Sequence, residues 1–109
     1  MKHLVMYACE RDRTNLAVDD ASSTFDLIHV VLSQPKEGGF SFDDIAKRLA
    51  IRSAADKVRQ GGDLLLEGPD AVLLQELAAA CRWSGIFDIV PPFVLAVLEM
   101  KDVEVRLDN

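Results

Sequence analysis

The segment from Phe40 to Trp83, FSFDDIAKRLAIRSAADKVRQGGDLLLEGPDAVLLQELAAACRW, decides the fold of this chain. It begins with Ser41, a good helix N-cap, and with Asp43 and Asp44 in the first turn, where the helix dipole favours negative charge. Apolar residues then recur on one helical face, at Phe42, Ile45, Ala46 and Leu49. This pattern predicts a helix that starts after Ser41 and buries that face.

The helical phase slips in the middle of this segment. Continuing the same face would bury Arg52 and Asp56. The apolar residues lie instead at Ile51, Ala54, Ala55 and Val58. We therefore expect a bend or break at residues 50–52 and a second helix over residues 53–60. The glycine pair Gly61-Gly62 is expected to end that second helix.

The second half of the segment and the residues that follow it predict a connector and two further helices. Residues 63–67 form a short buried connector or strand, and Pro69 suits the first turn of the helix that follows. That helix carries a core stripe at Leu73, Leu74, Leu77, Ala78 and Cys81, and Gly85 is expected to end it. Pro91-Pro92 then starts a helix that is apolar almost all round.

The N-terminal third combines strand and helix signals. Residues 3–9 are apolar and β-capable, and residues 16–18 could form the second strand of a hairpin. Ser22 or Ser23 can cap a helix over FDLIHVVL, although its many β-branched residues keep a buried strand as the alternative.

The C-terminal tail alternates apolar and polar residues, with Val103, Val105 and Leu107 on one side. It is expected to form a strand that pairs with the N-terminal one. Together these elements predict a single α+β domain over residues 1–109. That domain would be mainly helical, with four to five short helices, a small N-terminal hairpin and a possible C-terminal strand.

Charge is distributed unevenly along the chain. The 12 basic and 18 acidic residues give a net charge of −6. Residues 45–60 hold five basic residues and one acid, a local charge of +4, which leaves −10 for the remainder. An acidic exterior repels nucleic acid and anionic membranes, so a protein partner is favoured.

The cysteine and hydropathy patterns predict a cytoplasmic protein. Cys9 and Cys81 show no CxxC spacing, and the N-terminus shows no signal-peptide pattern. No apolar run approaches the ~20 residues of a membrane span. We expect two free thiols in a reducing compartment and no membrane contact, with a Cys9–Cys81 disulfide as the alternative.

No motif in the sequence demands a catalytic or metal-assisted chemistry. His3 and His29 have no further ligands at metal-binding spacing, and neither cysteine has a local activating partner. The glycine pairs match no phosphate-binding loop. We expect no metal, no cofactor and no catalytic residue.

The dense basic cluster consists of Lys47, Arg48, Arg52, Lys57 and Arg59. Residues 43–60 superficially resemble a helix-turn-helix, whose basic second helix could enter a major groove. Asp56 stands where such motifs keep an apolar core residue, which argues against this interpretation. The alternatives are a solvated basic face and a protein-contact surface, including contact with an acidic face of a second copy.

Large apolar residues are concentrated near the C-terminus, at Trp83, Phe93, Val94, Val97 and Leu98. Burial in the core explains most of them. A homodimer seam is the functional alternative, because a domain this small has a limited interior.

The order of elements resembles that of small uncharacterised proteins encoded by phages and prophages. The residues that carry the resemblance are the D-I-A-x-R-L helix of Asp44–Leu49, the L-x-L-E connector of Leu64–Glu67, the capped helix of Asp70–Leu77 and the apolar helix of Ile89–Leu98. The resemblance covers about half of the chain and transfers no binding or catalytic residue. It implies an accessory protein, one that binds and inhibits a host or defence protein.

The sequence therefore predicts a non-catalytic, acidic interaction protein that self-associates and binds a protein partner stoichiometrically. Its acidic exterior would steer it to a basic partner, such as a nucleic-acid-binding protein whose site it occludes. The alternative is a small DNA-binding regulator that uses residues 43–60.

Overall fold

A computed structural model describes residues 1–14 and 22–103. In chain order the elements are β1 (Lys2–Tyr7), α1 (Arg11–Thr14), α2 (Thr24–Leu32), α3 (Phe42–Asp56), β2 (Gly61–Leu66), α4 (Gly68–Ala80), α5 (Val90–Leu98) and β3 (Lys101–Asp102). The prediction of a mainly helical α+β fold is confirmed. None of the helices in the described ranges combines the length and hydropathy that a bilayer-spanning helix needs.

The three strands form one antiparallel sheet in the order β2-β1-β3. β1 pairs with β2 from Lys2 opposite Leu66 to Tyr7 opposite Gly61, and β3 pairs with the start of β1. Side chains alternate across the sheet. Its inner face is formed by Leu4, Met6, Leu64 and Leu66, all buried.

The sequence predicted two strands that pair with β1, one in the C-terminal tail and one at residues 16–18. The C-terminal strand is present and pairs with β1 as expected, although its described part is only Lys101–Asp102, and residues 104–109 lie outside the described ranges. The predicted hairpin partner at residues 16–18 also lies outside them. The partners that the structure does give β1 come from far along the chain. The ambiguous connector at residues 63–67 is largely strand β2.

Helix α2 occupies the middle of the fold and contacts β1, α3, α4 and α5. Ser23 caps it in a full capping box, because its hydroxyl accepts from the Asp26 amide while the Asp26 carboxylate accepts from the Ser23 amide. The helix prediction is confirmed, and the buried-strand alternative is wrong. The buried apolar residues of α2 are Leu27, Ile28, Val31 and Leu32.

Helix α3 is continuous, so the predicted break at residues 50–52 and the second helix over residues 53–60 are wrong. Ser41 caps the start as expected, and the helix runs unbroken to Asp56. The sequence offers no Gly or Pro between these residues to interrupt it, and alanines favour continuation. Gly61 and Gly62 instead begin β2 with φ angles of 128° and 124°, a conformation suited to glycine.

The C-terminal helices form the remaining wall of the core. Helix α4 ends at Ala80, five residues before the predicted stop at Gly85. Helix α5 buries Phe93 and Val97 completely, and the Trp83 ring meets Phe93 edge-on with centroids 6.3 Å apart. The predicted α4 stripe faces the core, as expected. Leu74 and Ala78 are buried, and the other three residues are half-buried against the core: Leu73, Leu77 and Cys81.

Candidate protein-contact surface on helix α3

The apolar stripe at the start of α3 faces solvent instead of the core. Phe42 is 88% exposed, Ile45 44% and Leu49 45%. Spacings of three and four residues place these side chains in one line along the helix. We call this line, Phe42, Ile45 and Leu49, the α3 outer face. A cluster of exposed large apolar side chains is typical of an interaction surface.

The core contact of α3 lies on the opposite side of the helix. Ile51 and Ala55 are completely buried. Ile51 follows Phe42 by nine residues, about two and a half turns, and therefore points the other way. The predicted stripe is present, but the expectation that it is buried is wrong, because all four of its residues are exposed. Its phase slip marks the change from the outer face to the buried face within one helix.

A groove runs beside the outer face, between α2 and α3. One part is a cavity of about 270 Å³ lined by Leu32, Ser33, Phe40, Ile45, Arg48, Leu49 and Arg52. An adjoining depression of about 450 Å³ is lined by Phe25, Leu49, Arg52, Ser53 and Asp56. The two parts share Leu49 and Arg52 in their linings, and together we call them the α2–α3 groove.

Two arginines at the groove are fixed by aromatic rings. The Arg48 guanidinium lies 4.7 Å from the centroid of the Phe40 ring, and its Nη1 donates to the Leu32 carbonyl at 2.9 Å. The Arg59 guanidinium lies 4.1 Å from the centroid of the Phe25 ring. These cation–π contacts hold the positive charges at defined positions along the groove.

The structure separates the five predicted contact cations into different settings. Lys47 lies on another flank of α3, where its Nζ is 2.9 Å from Asp43, and this hydrogen bond raises the pKa of Lys47. Arg59 pairs with Asp56 at 3.2 Å. Arg52 and Lys57 are exposed and make no ion pair with any described residue. Arg48, Arg52 and Arg59 are thus associated with the groove, while Lys47 is not.

The helix-turn-helix geometry predicted for residues 43–60 is absent from this part of the described chain. Residues 42–56 form one helix, and β2 follows after a turn. A helix-turn-helix needs two helices joined at a large angle. That structural prediction is wrong, and contact between these residues and nucleic acid stays a prediction.

The residues predicted for a homodimer seam are mostly inside the monomer. Phe93 and Val97 have no exposed surface, and Trp83 and Val94 are half-buried. Leu98 is 43% exposed. The assignment of Phe93 and Val97 to a surface is therefore wrong, because α5 turns these two residues towards the core. Self-association itself stays a prediction.

The groups considered for chemistry are dispersed in the structure. His3 Nε2 lies 3.0 Å from Asp63 Oδ1, while His29 stacks on Phe25. Cys81 is a free thiol, and burial raises its pKa. No three metal-ligating side chains come together within the described ranges.

One polar cluster was missed by the sequence analysis. Glu10 is fully buried and pairs with Arg13, three residues later, at 2.8 Å. The Thr24 hydroxyl donates to the same carboxylate. The Glu10–Arg13 spacing is visible in the sequence, between the two strands predicted for the hairpin. Its burial depends on α2, which no local pattern reveals.

The chain matches no protein-family profile, no curated protein and no solved structure. The resemblance to phage and prophage proteins therefore stays an expectation.

Proposed function

We propose that this chain is a non-catalytic protein-binding module that engages its partner stoichiometrically through the α3 outer face and the α2–α3 groove. The observation that carries the proposal is the alignment of Phe42, 88% exposed, with Ile45 and Leu49 on one helix face. Burying such apolar area contributes about 25 cal/mol per Å² before the costs of association.

The composition of the surface supports this proposal. Protein interfaces are enriched in aromatic residues and arginine and depleted in lysine and acidic residues at their centre. Phe40, Phe42, Arg48 and Arg52 are of the enriched types and lie together with Ile45 and Leu49 around the cavity and the outer face. Arginine is also, with Trp and Tyr, one of the residue types that dominate binding energies.

The resemblance to phage and prophage proteins indicates what binding would do to the partner. A small module of this kind would inhibit its partner by covering a functional surface. The lack of CxxC spacing between the two cysteines supports a reducing compartment such as the cytoplasm.

Site-specific photocrosslinking tests the proposal in the cells from which the protein comes. A photoreactive amino acid at position 45 should give a covalent adduct with another protein. Position 86 is the matched control, because Ile86 is 102% exposed and lies in the connection between α4 and α5. Adduct formation at position 45 should also disappear when Leu49→Glu is added. Equal adducts at both positions, or none at position 45, would refute the proposal.

Nucleic-acid binding is a second candidate, favoured by the exposure of Arg52 and Lys57 without an ion pair in the described ranges. It predicts a salt-sensitive gel shift that Arg52→Glu combined with Arg59→Glu abolishes. A shift that survives this double substitution would exclude residues 43–60 as its cause.

Self-association, with a second copy of the chain as the partner, is a third candidate. Leu95 and Leu98 on α5 are 54% and 43% exposed and could meet a second copy. Light scattering should then give a dimer mass, and a monomer mass over a wide concentration range would contradict this arrangement.

A further inference from the structure

We infer that the segment seated in the α2–α3 groove is an acidic amphipathic helix of another protein, with apolar anchors on the groove floor and carboxylates against Arg48 and Arg52. This inference rests on the proposed function and specifies the chemistry of the partner. It follows from the shape, the floor and the charge of the groove.

The shape of the groove favours a helix. Its walls are the two packed helices α2 and α3. The part of α3 that lines it runs from Ile45 to Asp56, a rise of about 16 Å at roughly 1.5 Å per residue. Three turns of a partner helix span the same length. A helix in such a groove presents anchors at i, i+3 or i+4, and i+7.

The floor of the groove is apolar and suits side-chain anchors. Its apolar lining consists of Phe25, Leu32, Phe40, Ile45 and Leu49. The cavity of about 270 Å³ lies below the roughly 300–1,000 Å³ typical of small-molecule pockets. It shares the lining residues Leu49 and Arg52 with the adjoining depression. An anchor from a peptide chain that continues along the groove fits this arrangement better than an isolated small molecule.

The charge of the groove determines the sign of the occupant. Arg48 and Arg52 line the groove and contribute two positive charges. Asp56 is the acid in the lining, and it is already paired with Arg59 beside the groove. Arg48 uses Nη1 on the Leu32 carbonyl, and a guanidinium has five N–H donors. Arg52 makes no ion pair within the described part of the chain. Carboxylates on the occupant would accept charge-assisted hydrogen bonds from these arginines, whereas a basic segment would be repelled.

The local charge and the net charge of the chain point to different partners. The net charge of −6 favours a basic partner at long range, but residues 45–60 carry +4. Exposed charges more than about 8 Å apart are largely screened at physiological salt. The arginines at the groove therefore govern the contact segment itself.

A second copy of α3 is a poorer occupant for the groove. In a two-fold antiparallel packing, equivalent flanks of the two helices face each other. The flank that carries Arg48 and Arg52 would then meet the same arginines of the second copy. Like charges brought together in this way oppose the contact.

Selection from a displayed library of random 18-residue peptides tests the inference on the full chain. We expect enriched peptides to share apolar residues at helical spacing and flanking Asp or Glu. Their binding should weaken at least tenfold on Leu49→Glu and on Arg48→Glu combined with Arg52→Glu. Binding should be unchanged on Val72→Glu, a matched control because Val72 is 51% exposed on α4. Circular dichroism should confirm that each variant is folded.

The outcomes separate the inference from the proposed function. Enriched peptides that depend on Leu49 but are basic or neutral, and that ignore the arginine substitutions, would overturn the inference and leave the binding surface intact. If no enriched peptide depends on Leu49, both proposals fail. A dimer in light scattering that Leu49→Glu dissociates would make a second copy the occupant, and would also overturn the inference.

A charge exchange provides the positive test of the electrostatic contact. An enriched peptide with its acidic residues changed to Lys should lose binding to the unmodified chain. It should regain binding to the Arg48→Glu, Arg52→Glu chain by at least tenfold. Recovery supports direct pairing across the interface, and absence of recovery contradicts it.

Discussion

Arg13 binds both carboxylate oxygens of the fully buried Glu10, with Nε 2.8 Å from Oε2 and Nη2 3.2 Å from Oε1. The Thr24 hydroxyl donates to the same carboxylate and accepts the Tyr7 amide at 2.9 Å. This network joins the end of β1 to the start of α2. It also gives the Glu10 carboxylate the partners without which its burial would be costly.

Arg13→Ala should destabilise the protein strongly. The substitution leaves the Glu10 carboxylate buried without its cation, and breaking a buried pair from one side costs about 3–5 kcal/mol. The free energy of unfolding in urea measures the effect. Arg11→Ala is the matched control, because Arg11 is exposed in the same helix, and it should cost less than about 0.5 kcal/mol. Equal costs for the two substitutions would show that the pair does not stabilise the fold.

Substitutions two residues apart on α3 test which side of the helix meets the core. Ile51→Ala removes a completely buried side chain and should cost about 2–5 kcal/mol. Leu49→Ala removes one that is 45% exposed and should cost about 1 kcal/mol or less. Unfolding of both variants in denaturant gives their free energies of unfolding and shows which side chain contributes more to stability. A larger cost for Leu49→Ala would mean that the outer face is part of the core.

Ala50→Pro tests the continuity of α3. A proline inside a helix removes a backbone hydrogen bond and clashes with the preceding turn, at a cost of about 3 kcal/mol or more. Ala50 is exposed, so the substitution should act through the backbone alone. Ala50→Ser controls for the altered side chain and should cost only about 0.5 kcal/mol. A Pro variant as stable as the Ser variant would restore the two-helix interpretation.

The helix starts could be predicted from the sequence because capping is local. Ser23 and Ser41 satisfy amide groups only three residues away, and that chemistry is visible in the sequence itself. The orientation of α3 could not be predicted in the same way. Periodicity shows which residues share a face, but Phe42 and Ile51 lie on opposite faces and both are apolar. Only the packing of α2, α4 and β2 against α3 decides which face is buried.

The candidate site was predictable only in part for a related reason. Arg48, Arg52 and Arg59 were expected at a surface, and they are associated with the groove. The groove itself needs Phe25 and Leu32 from α2, about 20 residues away along the chain. No local pattern brings those residues to α3. The break at residues 50–52 was inferred because a single helix was assumed to have one apolar face.

Cys81 should react slowly with alkylating agents near neutral pH. Burial raises the pKa of its thiol above the ordinary 9.0, and the thiolate is the reactive form. In a Cys9→Ser chain, the alkylation rate followed by mass spectrometry should rise mainly above pH 9. The same chain unfolded in urea is the control and should react at lower pH. Rapid alkylation of the folded chain at pH 7 would contradict the burial of Cys81.

Lys36→Gln should raise the pKa of Asp44 towards its ordinary value. The pKa of Asp44 lies below 3.8, chiefly because the Lys36 ammonium donates to its carboxylate at 2.6 Å. A carboxyl group whose pKa is lowered by folding stabilises the protein above its unfolded pKa. That stabilisation is lost as the pH falls through the lower folded pKa. Stability should therefore differ between the two chains above about pH 3.8 and converge below the folded pKa. The carboxyl ¹³C shift of Asp44, followed against pH, measures its pKa in each chain. Glu37→Gln, in the adjacent exposed loop, is the control and should leave the pKa of Asp44 unaltered. An unchanged titration in Lys36→Gln would show that this ion pair does not form in solution.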